Sequence, residues 1–499
     1  MLLLIFAEIL LNLIKFVAAS QISKNPILIF DFLILNLSMT NVIAIFDVGK
    51  TNKKFFLINE GYEIVLERST PFTEIMDEDG DSCDDVQLLS TWVTGTLAEV
   101  LLQKEFDIKA VNFSAYGASF VYINEEGKAI APLYNYLKAY PEELKANLYK
   151  KYGGEENISC ETASPVLGSL NSGMQVYRMM KEKPALFDEV EFALHLPQYL
   201  SYLISKKVVS DITSIGCHTQ LWNFPKNNYH TWVTQEGIDK KLAPVFPADK
   251  TVDIVFNDKN LAVGTGLHDS SAALIPYLTV FSEPFVLIST GTWCISLNPF
   301  NDEPLTVEEL KKDCLCYLGF KGKPVKASRL FAGYEHEQQV QKMATHFNQR
   351  TDYYKQVKYD ADIITALQNK FSFSEASDKN AEGLIQSNFS KRELADFANY
   401  EEAYHCFILD IMQQQQASTQ AVIQQTSVNR IFVDGGFGNN SIYMHLLAAA
   451  FPHLEVYAAS VAQATALGAA LAIHDSWNSK QIPTDIVELK YYATIHVPS

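Results

Sequence analysis

The sequence predicts an α/β protein built from two related domains, and three observations support this fold class. Strand-like and helix-like segments alternate along the 499 residues, which is the pattern of a mixed α/β chain. A strand–turn–strand segment near residue 50 returns in a similar form about 240 residues later, as expected of a duplicated unit. Hydrophobic residues make up 48% of the chain and charged residues 20%, which is ordinary globular usage. The alternative to duplication is that glycine and threonine simply favour hairpin turns.

The first elements are predicted from apolar runs and from hydrophobic periodicity. Residues 42–46 form a short apolar run that is typical of a strand buried on both faces, and residues 55–58 form a second strand after a glycine turn. Between residues 86 and 101, apolar side chains recur at helical spacing. Residues 120–123 are interpreted as a further strand because a turn sequence, Asn-Glu-Glu-Gly, follows them.

Later elements are predicted by the same patterns. Residues 274–280 and 285–289 are two apolar runs that we interpret as strands, and residues 431–433 are predicted to form another. Residues 442–451 read as an apolar helix, for which Ser441 is the expected N-cap because its hydroxyl can accept from the first free amides.

Charge and cysteine content exclude some classes of function. The chain has 58 acidic and 40 basic residues, a formal charge of −18, which argues against general nucleic-acid binding because phosphates would repel it. The seven cysteines are scattered and odd in number, so no disulfide framework is predicted and a reducing compartment is favoured. Cys314 and Cys316 form a lone C-x-C pair, which indicates unpaired thiols rather than zinc. After Met39 no apolar run reaches the length of a membrane span.

Residues 1–38 differ from the rest of the chain because they are dominated by Leu, Ile and Phe. Glu8 and Lys15 interrupt the first apolar stretch, which argues against a transmembrane helix. Small residues around Ala18 keep a targeting peptide open as an alternative. We prefer the interpretation that Met39 is the natural start, since an ordinary first strand of a soluble enzyme follows it.

The run from Asp47 to Lys54 follows the first predicted strand and has the composition of a phosphate-binding loop. Gly49 permits close backbone approach, and free amides with the side chains of Lys50 and Thr51 can hold phosphate oxygens. An aspartate at the end of a buried strand can hold Mg²⁺, so Asp47 is the candidate metal ligand. The run is not a P-loop, because alanine stands at position 44, where that motif requires glycine.

Two further glycine loops are candidates for nucleotide binding. The run from Ser289 to Trp293 offers hydroxyls and turn amides, including those of Gly291 and Thr292, which suit a second phosphate contact. The run from Asp434 to Ser441 lies between a strand and a helix, where glycines let a flat ligand or a phosphate approach the backbone. Its spacing is not that of a dinucleotide fingerprint, and a tight βα turn is the alternative.

Asp269 is the candidate general base, because it precedes a Ser-Ser-Ala-Ala run that begins a helix. In that place it either caps the helix or accepts a hydroxyl proton during phosphoryl transfer. The preceding His268 is either a structural polar residue or a sugar contact. A hydrolase triad is disfavoured because no G-x-S-x-G elbow is present.

Taken together and in this order, the motifs resemble those of the FGGY family of carbohydrate kinases, over nearly all of residues 39–475. The first loop is similar to the family's D-x-G-T-[ST] phosphate loop, with Lys50 where threonine is usual and Lys54 where arginine often occurs. Residues 266–272 resemble the catalytic-base motif. Residues 435–440 and the alanine-rich run after them resemble the adenosine motif, in which glutamine at position 463 replaces the usual glutamate.

The resemblance implies two actin-like, ribonuclease H-like domains around a central cleft, with residues 39–283 in the first and 284–499 in the second. It implies ATP and Mg²⁺ as cofactors, Asp269 as the catalytic base and Asp47 as the residue that organises the metal. The implied phosphate contacts are Gly49, Lys50, Thr51, Asn52, Lys54, Gly291 and Thr292. The implied adenosine contacts are Gly435, Gly436 and Asn440.

The acceptor is expected to be a small ketose. Motifs around His268 and the second loop are similar to those of the rhamnulokinase and fuculokinase group, which favours L-rhamnulose or L-fuculose. Ser119 stands where that group has aspartate, so a pentulose such as xylulose or ribulose is the alternative. The sugar-pocket candidates are Gly117, Asn135, His268 and Asp269.

Two competing functions stay open at this point. One is a non-catalytic sugar or nucleotide sensor on the same fold, suggested by the unusual residues Lys50, Ser119 and Gln463. The other is an actin-like ATPase that acts on proteins, which would need a substrate domain after the third loop. The expected partner is a small sugar, with no nucleic acid and no membrane for the mature enzyme. Dependence on ATP favours the cytoplasm, and a homodimer is left open.

Overall fold

The computed structural model describes residues 39–375 and 386–493. The apolar extension at residues 1–38 lies outside the described residues, so its interpretation as a misassigned start or a targeting segment stays a prediction. Across the two described ranges, no helix combines the length and the apolar character that a membrane crossing requires. The seven cysteines all lie in these ranges, and each is a free thiol.

The first half of the chain is built on one mixed sheet. The strands of this half of the chain are β1 (Thr40–Val48), β2 (Asn52–Asn59), β3 (Ile64–Pro71), β4 (Ile75–Met76), β5 (Ser82–Cys83), β6 (Phe106–Ala115), β7 (Phe120–Ile123), β8 (Phe192–His195), β9 (Trp222–Asn223), β10 (Asn228–Tyr229), β11 (Thr251–Phe256), β12 (Lys259–Gly264) and β13 (Leu267–His268). Strands β4 and β5, β7 and β8, and β9 and β10 form separate two-stranded pairs. The helices of this half are α1 (Val86–Val100), α2 (Glu142–Lys151), α3 (Glu155–Glu161), α4 (Ser172–Glu182), α5 (Pro184–Glu189), α6 (Leu196–Ser205), α7 (Ile212–Ile215), α8 (Thr231–Gln235) and α9 (Asp269–Val280).

The second half is built on a second mixed sheet. Its strands are β14 (Phe285–Thr290), β15 (Cys294–Asn298), β16 (Cys314–Leu318), β17 (Pro324–Leu330), β18 (Arg430–Gly435), β19 (Glu455–Ser460) and β20 (Glu488–Tyr492). Its helices are α10 (Val307–Lys311), α11 (Ala332–His346), α12 (Ala361–Lys370), α13 (Tyr400–Ile423), α14 (Ser441–Ala450) and α15 (Ala464–Ala472). Short 3₁₀ helices occur at Gly168–Leu170, Ile238–Lys241, Tyr353–Gln356, Asn388–Lys391, Leu394–Asp396, Gly436–Asn439 and His474–Ser476.

The two large sheets repeat one topology. The strand order is β11-β12-β6-β1-β2-β3 in the first sheet, where β13 also pairs with β6, and β16-β17-β15-β14-β18-β19-β20 in the second. Each sheet contains an antiparallel meander, β1-β2-β3 or β14-β15-β17. On the other side of its first strand, each has two parallel neighbours, β6 and β12 or β18 and β19. The predicted α/β class with a duplicated unit is therefore confirmed, while the domain limits at residues 283 and 284 stay predictions.

A pair of helices joins the two halves. Helices α9 and α15 pack against each other, and their apolar residues share one core with residues of both sheets. Gly468 lies at the crossing, where a Cβ atom would come within 1.9 Å of the carbonyl oxygen of Ala272. Asn112 of β6 adds a polar contact, because its Nδ2 donates to the carbonyl of Ala469 at 2.8 Å. Only a glycine at position 468 permits this close packing.

The remaining helices cover the outer faces of the sheets. Helices α1 and α6 pack on the first sheet through apolar residues spaced three and four apart, as predicted for residues 86–101. Helices α11 to α14 cover the second sheet in the same way. The central strand β1 is buried along residues 42–46, which explains why its sequence is an uninterrupted apolar run.

One predicted element is wrong. Residues 274–280 were expected to be a strand, but they form the second half of helix α9. The helix is buried between the two sheets, so apolar residues occur on most of its surface and give no helical period. An apolar run of this length does not distinguish a strand from a buried helix by periodicity alone.

Candidate active site

Asp47 lies at the end of β1, where the chain turns towards β2, and it faces the N-terminus of α15. The hydroxyl of Thr465 donates to Asp47 Oδ2 at 2.7 Å, across the two halves of the chain. Burial is the main reason that the pKa of Asp47 is raised to about 6; the hydrogen bond from Thr465 opposes this rise, and the charge of Asp269 adds to it. Two neighbouring carboxylates supply the oxygen donors that Mg²⁺ prefers, so these residues fit that ion.

Asp269 is the first residue of α9, directly after the short strand β13. Its Oδ1 accepts from the backbone N–H of Ser270 at 2.6 Å and lies 3.2 Å from Nδ1 of His268. Burial raises the pKa of Asp269 to about 6, although the hydrogen bonds from Ser270 oppose this rise. At neutral pH the group is therefore a carboxylate that still accepts a proton readily.

The backbone that presents Asp269 is fixed by buried polar side chains. Gly266 donates its N–H to Asn112 Oδ1 at 3.1 Å, and Gln198 donates to the carbonyl of Gly266 at 2.8 Å. The N–H of His268 donates to Thr213 Oγ1 at 3.0 Å, and that hydroxyl donates in turn to the buried carboxylate of Asp211. Gly266 has a φ of +80°, and a side chain there would collide with the backbone of α6. The candidate base is thus held rigidly.

Gly117 and His268, two predicted sugar contacts, are brought together. A Cβ atom at position 117 would lie 2.1 Å from Nε2 of His268, so the edge of the imidazole packs directly against the glycine and leaves no space for a side chain there. His218 lies beside them, with its ring centre 5.9 Å from that of His268. Burial lowers the pKa of His268 to about 4 and that of His218 to about 3, so both rings are neutral at neutral pH. Neutral imidazoles can donate to and accept from sugar hydroxyls.

Asn135, the third predicted sugar contact, lies elsewhere. Its Oδ1 accepts from the N–H of Leu137 at 3.0 Å, and its Nδ2 is 3.5 Å from the hydroxyl of Ser82. It lines a cavity with Lys138 and Arg178, and neither Gly117 nor His268 lines that cavity. The structure therefore does not bring Asn135 to the base, and its assignment to the sugar pocket stays a prediction.

Lys50 of the first loop is already paired. Its Nζ lies 2.6 Å from Glu74 and 2.9 Å from Asp84. The buried Lys53 donates to Asp84 at 2.8 Å and to the carbonyl of Lys50 at 2.9 Å, and Tyr116 donates to Asp84 at 2.7 Å. Although burial works against it, these three donors hold the pKa of Asp84 below its usual value. This network of hydrogen bonds and ion pairs stabilises the first loop, and within it the Lys50 ammonium is bound by two carboxylates.

The other predicted residues of the first loop lie in the turn itself or just after it. Gly49 donates its N–H to the carbonyl of Asn52 at 2.9 Å, which closes the hairpin, and Thr51 is exposed in the turn. Lys54 reaches the second half of the chain, since its Nζ lies 3.2 Å from Oε1 of Gln463. Gln463 precedes α15 with a φ of +51°. Lys54 and Gln463 therefore form a second contact between the halves, beside the contact of Asp47 with Thr465.

A cavity of about 590 Å³ lies on the second half of the chain. Of the predicted nucleotide contacts it is lined by Gly291, Gly436 and Asn440. The structure adds residues that sequence reasoning missed: the cavity is also lined by Thr290, Gly333, His336, Tyr354, Lys355 and Lys358. Tyr354 and His336 offer aromatic faces to a flat base, and the two lysines offer positive charge. Apart from Thr290, which belongs to the second glycine loop, these residues lie far from the glycine loops in sequence, and no motif marks them.

The walls of this cavity are held by close backbone contacts. Gly435 has a φ of +93°, and a Cβ atom there would lie 2.0 Å from the carbonyl of Thr290. The hydroxyl of Thr290 donates to the carbonyl of Asp434 at 2.6 Å. A Cβ atom on Gly333 would lie 1.7 Å from the carbonyl of Gly291, and the carbonyl of Thr292 accepts from Tyr334. Gly435 itself lines a neighbouring cavity of about 330 Å³.

Asn440 caps the helix that follows the third loop. Its Oδ1 accepts from the N–H groups of Ile442 and Tyr443 at 3.0 and 3.2 Å, so the predicted cap Ser441 is wrong. Its Nδ2 donates to the hydroxyl of Tyr404 at 2.7 Å. Both ends of the amide are thus used to orient the loop, and the prediction overlooked that asparagine caps a helix as well as serine does.

Two family profiles match almost the whole described chain. The profile of the FGGY family of carbohydrate kinases, N-terminal domain, matches residues 42–275. The profile of carbohydrate kinase FGGY, C-terminal domain, matches residues 282–481.

Curated relatives are more distant. A rhamnulokinase from Mannheimia succiniciproducens is 22% identical over 202 residues, which cover 40% of each chain. An L-fuculokinase from Escherichia coli strain K12 is 20% identical over 279 residues, which cover 50% of this chain and 55% of the relative. The chain thus spans about half the length of the curated relatives it matches.

Solved structures match over a greater length. A carbohydrate kinase from Novosphingobium aromaticivorans superposes with a TM-score of 0.76 at 21% identity, covering 92% of this chain and 95% of the other. A xylulose kinase from Lactobacillus acidophilus gives a TM-score of 0.72 at 15% identity, covering 91% and 94%. A glycerol kinase from Plasmodium falciparum with ADP gives 0.66 at 14%, covering 88% and 90%. The predicted actin-like two-domain fold is confirmed.

Proposed function

Because the chain belongs to the FGGY family of carbohydrate kinases, we propose that it transfers the γ-phosphate of ATP to a hydroxyl group of a small ketose. One observation carries the proposal. Asp47 and Asp269 are neighbouring carboxylates, each with a pKa raised to about 6, and the contact of Asp47 with Thr465 joins the half of the chain that holds them to the other half.

Asp269 acts as the general base. The N–H of Ser270 holds its Oδ1 at 2.6 Å, which leaves Oδ2 for the proton of the attacking hydroxyl. A pKa of about 6 suits this task, because the group is ionised at neutral pH and remains basic enough to take a proton. The fixed backbone around Gly266 supplies the orientation on which phosphoryl transfer mainly depends.

Asp47 organises the phosphate end of the site. Mg²⁺ held there would neutralise negative charge on the phosphates as the bond to the leaving group breaks. The turn formed by residues 49–52 offers backbone amides to the same phosphates. We assign this contact to the backbone of the turn rather than to the Lys50 ammonium, because Glu74 and Asp84 already bind that group.

The 590 Å³ cavity receives the nucleoside. Gly291 and Gly436 permit close approach of the base and ribose, and Tyr354 offers a face for stacking. Lys54 and Gln463 lie where the two halves meet, so domain closure brings Lys54 towards the phosphates and excludes water. Residues 39–283 and 284–499 are the two domains that close.

Two facts support an uncharged ketose as the acceptor. The rings of His218 and His268 are neutral, and both rings lie close to the candidate base. We favour L-rhamnulose or L-fuculose because a rhamnulokinase and an L-fuculokinase are among the relatives. D-xylulose or D-ribulose is the alternative, since xylulose kinases share the fold. We propose a cytoplasmic location, because the reaction uses ATP and a metabolic sugar.

The deciding experiment is coupled ADP release from the full chain with Mg-ATP and a panel of acceptors. The panel contains L-rhamnulose, L-fuculose, D-xylulose, D-ribulose and glycerol, and a reaction without acceptor measures uncoupled ATP hydrolysis. We expect one ketose to give turnover well above that background. Peptide-stimulated hydrolysis that no sugar affects would instead favour a protein-directed ATPase.

A sugar or nucleotide sensor is the second candidate, and two observations favour it. The Lys50 ammonium is paired away from the phosphate turn, and Gln463 stands where the family usually has glutamate. If the folded protein binds both ATP and a ketose but releases no ADP with any acceptor of the panel, the sensor would be established and the kinase rejected.

A further inference from the structure

Cys217, His218 and His268 form a cluster of metal-ligating side chains beside the candidate base. Each offers one atom, a thiol sulfur or a ring nitrogen, and these atoms all lie within 4.8 Å of one another. Sulfur and imidazole nitrogen are the donors that Zn²⁺ prefers. We propose that the three residues bind Zn²⁺, or a similarly thiophilic divalent cation, and that the bound ion closes the acceptor pocket. The metal site goes beyond the proposed kinase activity and does not depend on it.

The backbone around the cluster is shaped so that adjacent side chains converge. In an extended chain, neighbouring residues such as Cys217 and His218 point to opposite sides. His218 instead has a φ of +41°, in the left-handed region. The sulfur of Cys217 and a ring nitrogen of His218 both lie within 4.8 Å of a ring nitrogen of His268. Ala118, which follows Gly117 on the other side of His268, has a φ of +62°. Such strain in residues other than glycine is concentrated at functional sites.

Each histidine has the outer partner that a metal-binding imidazole usually has. Nδ1 of His218 lies 3.2 Å from the carbonyl oxygen of Leu170. A carbonyl only accepts, so Nδ1 carries the proton and the Nε2 lone pair is left for a metal. Nδ1 of His268 accepts from the N–H of Ser270 at 3.2 Å and also lies 3.2 Å from Oδ1 of Asp269. Binding of a metal at Nε2 would therefore move the ring proton to Nδ1, which would then donate to Asp269, while the N–H of Ser270 keeps its bond to the same carboxylate.

The charges of the site balance when the ion is bound. The thiol of Cys217 loses its proton to solvent on metal binding, so one thiolate and the neighbouring Asp269 carboxylate together offset the charge of a divalent cation. The two imidazoles complete the set. The opposing cation is Arg329, and its guanidinium is already bonded to Asp313 at 2.6 Å.

Metal binding would block the acceptor. Zn–S and Zn–N bonds of about 2.3 and 2.0–2.1 Å require the three ligand atoms to draw slightly closer, within the reach of side-chain rotation. His268 would then be unable to contact a sugar hydroxyl, and the carboxylate of Asp269 would be held by the charged site. The fourth coordination position is left for water, as in other three-ligand zinc sites.

The test is a titration of the full chain with Zn²⁺ alone, in competition with a chromophoric chelator, followed by zinc X-ray absorption. We expect one tight Zn²⁺ per chain, with a first shell of one sulfur and two nitrogens. Cys217→Ser and His218→Gln should each weaken binding at least about 100-fold, because loss of an outer-shell partner alone costs 10–100-fold. Cys160→Ser, at a cysteine outside the cluster, is the matched control and should bind like the wild type.

A first shell without sulfur, or unchanged affinity in folded Cys217→Ser protein, would overturn the proposal. A thermal melt of each variant checks the fold, and if serine at 217 prevents folding, the His218→Gln titration decides. These titrations contain neither sugar nor nucleotide, so failure of the proposed kinase leaves them unaffected. If the kinase is active, Zn²⁺ well below the ATP concentration should raise KM for the ketose and leave KM for ATP unchanged.

Discussion

The hairpin turns at residues 49–51 and 291–293 occupy equivalent places in the repeated topology, yet they are held by different forces. The first turn sits on ion pairs, in which Asp84 accepts from Lys50 and Lys53. The second turn is exposed and is fixed by backbone packing, since Gly333 leaves no room for a side chain against Gly291. The same backbone arrangement thus tolerates two unrelated kinds of support.

The comparison extends to the chemistry around each turn. The first half holds the candidate base and metal ligand, both carboxylates with raised pKa values of about 6. In the second half, the 590 Å³ cavity is lined by two lysines and aromatic rings, and no acidic side chain of the described chain lines it. Under the proposed function, the first half supplies the catalytic carboxylates and the second half supplies the nucleoside cavity.

The largest effect is expected from Asp269→Asn. Loss of the general base should lower turnover with the best ketose by about 10²–10⁴-fold. Affinity for ADP, measured by calorimetry, should stay unchanged because the nucleotide cavity belongs to the other half. Asp253→Asn, at an exposed position of β11, is the control and should keep full activity. A matching loss of ADP affinity in the Asp269 variant would break the division of roles.

The support of the first turn is tested by Lys53→Met. Its ammonium is buried, with a side-chain exposure of 2%, so removing it leaves the Asp84 carboxylate poorly compensated. Breaking a buried ion pair in this way should cost about 3–5 kcal/mol in the free energy of unfolding, measured with urea. Lys50→Met is the matched comparison and should cost less, because that side chain is 21% exposed. Equal losses would mean that exposure does not govern the network.

The junction between the halves is tested by Gly468→Ala. The added methyl group would lie 1.9 Å from the carbonyl of Ala272, so α9 and α15 must move apart. Overpacking of this kind should cost about 1–3 kcal/mol and lower the melting temperature. Gly95→Ala, in the interior of α1, meets no atom within 4 Å and should stabilise the protein by up to about 1 kcal/mol. A neutral Gly468 variant would show that the helix pair is loosely packed.

The smallest effect is expected on the pH profile. Asp269 must be ionised to accept a proton, and its pKa is raised to about 6. The kcat/KM for the ketose should therefore fall as the pH drops through about 6, by about tenfold for each unit below it. Affinity for adenosine, which carries no phosphate, should stay flat between pH 6 and 8, because His336 in the cavity has a pKa lowered to about 4 by burial. An acid limb in adenosine binding over that range would contradict the assignment of the cavity.

Much of the fold could be predicted because its signals are local. The hairpin at residues 47–54 and its counterpart at 289–297 each correspond to one continuous run of strand-forming and turn-forming residues. Helix α9 was partly missed because its apolar run is buried on most sides and carries no period. The predicted cap at Ser441 failed because asparagine, one residue earlier, caps equally well.

The site was harder to predict because its parts converge from distant segments. Cys217 and His218 lie about 50 residues before His268, and only the folded chain brings the ligand atoms of the three residues within 4.8 Å of one another. Lys50 has the sequence of a phosphate ligand, yet two carboxylates from a later loop bind it. Lys355 and Lys358 reach the nucleotide cavity through folding alone. A sequence motif identifies only residues that are close along the chain, so it does not predict contacts between distant segments.

The helix pair also has a consequence for how the protein is made. Helix α9 is complete at Val280, but its partner α15 begins at Ala464. At about 5–20 residues per second, a ribosome needs roughly 10–40 s to synthesise the residues between them. During that interval the apolar surface of α9 that faces Gly468 has no cover. That surface of the first half of the nascent chain therefore becomes buried only after α15 has been translated.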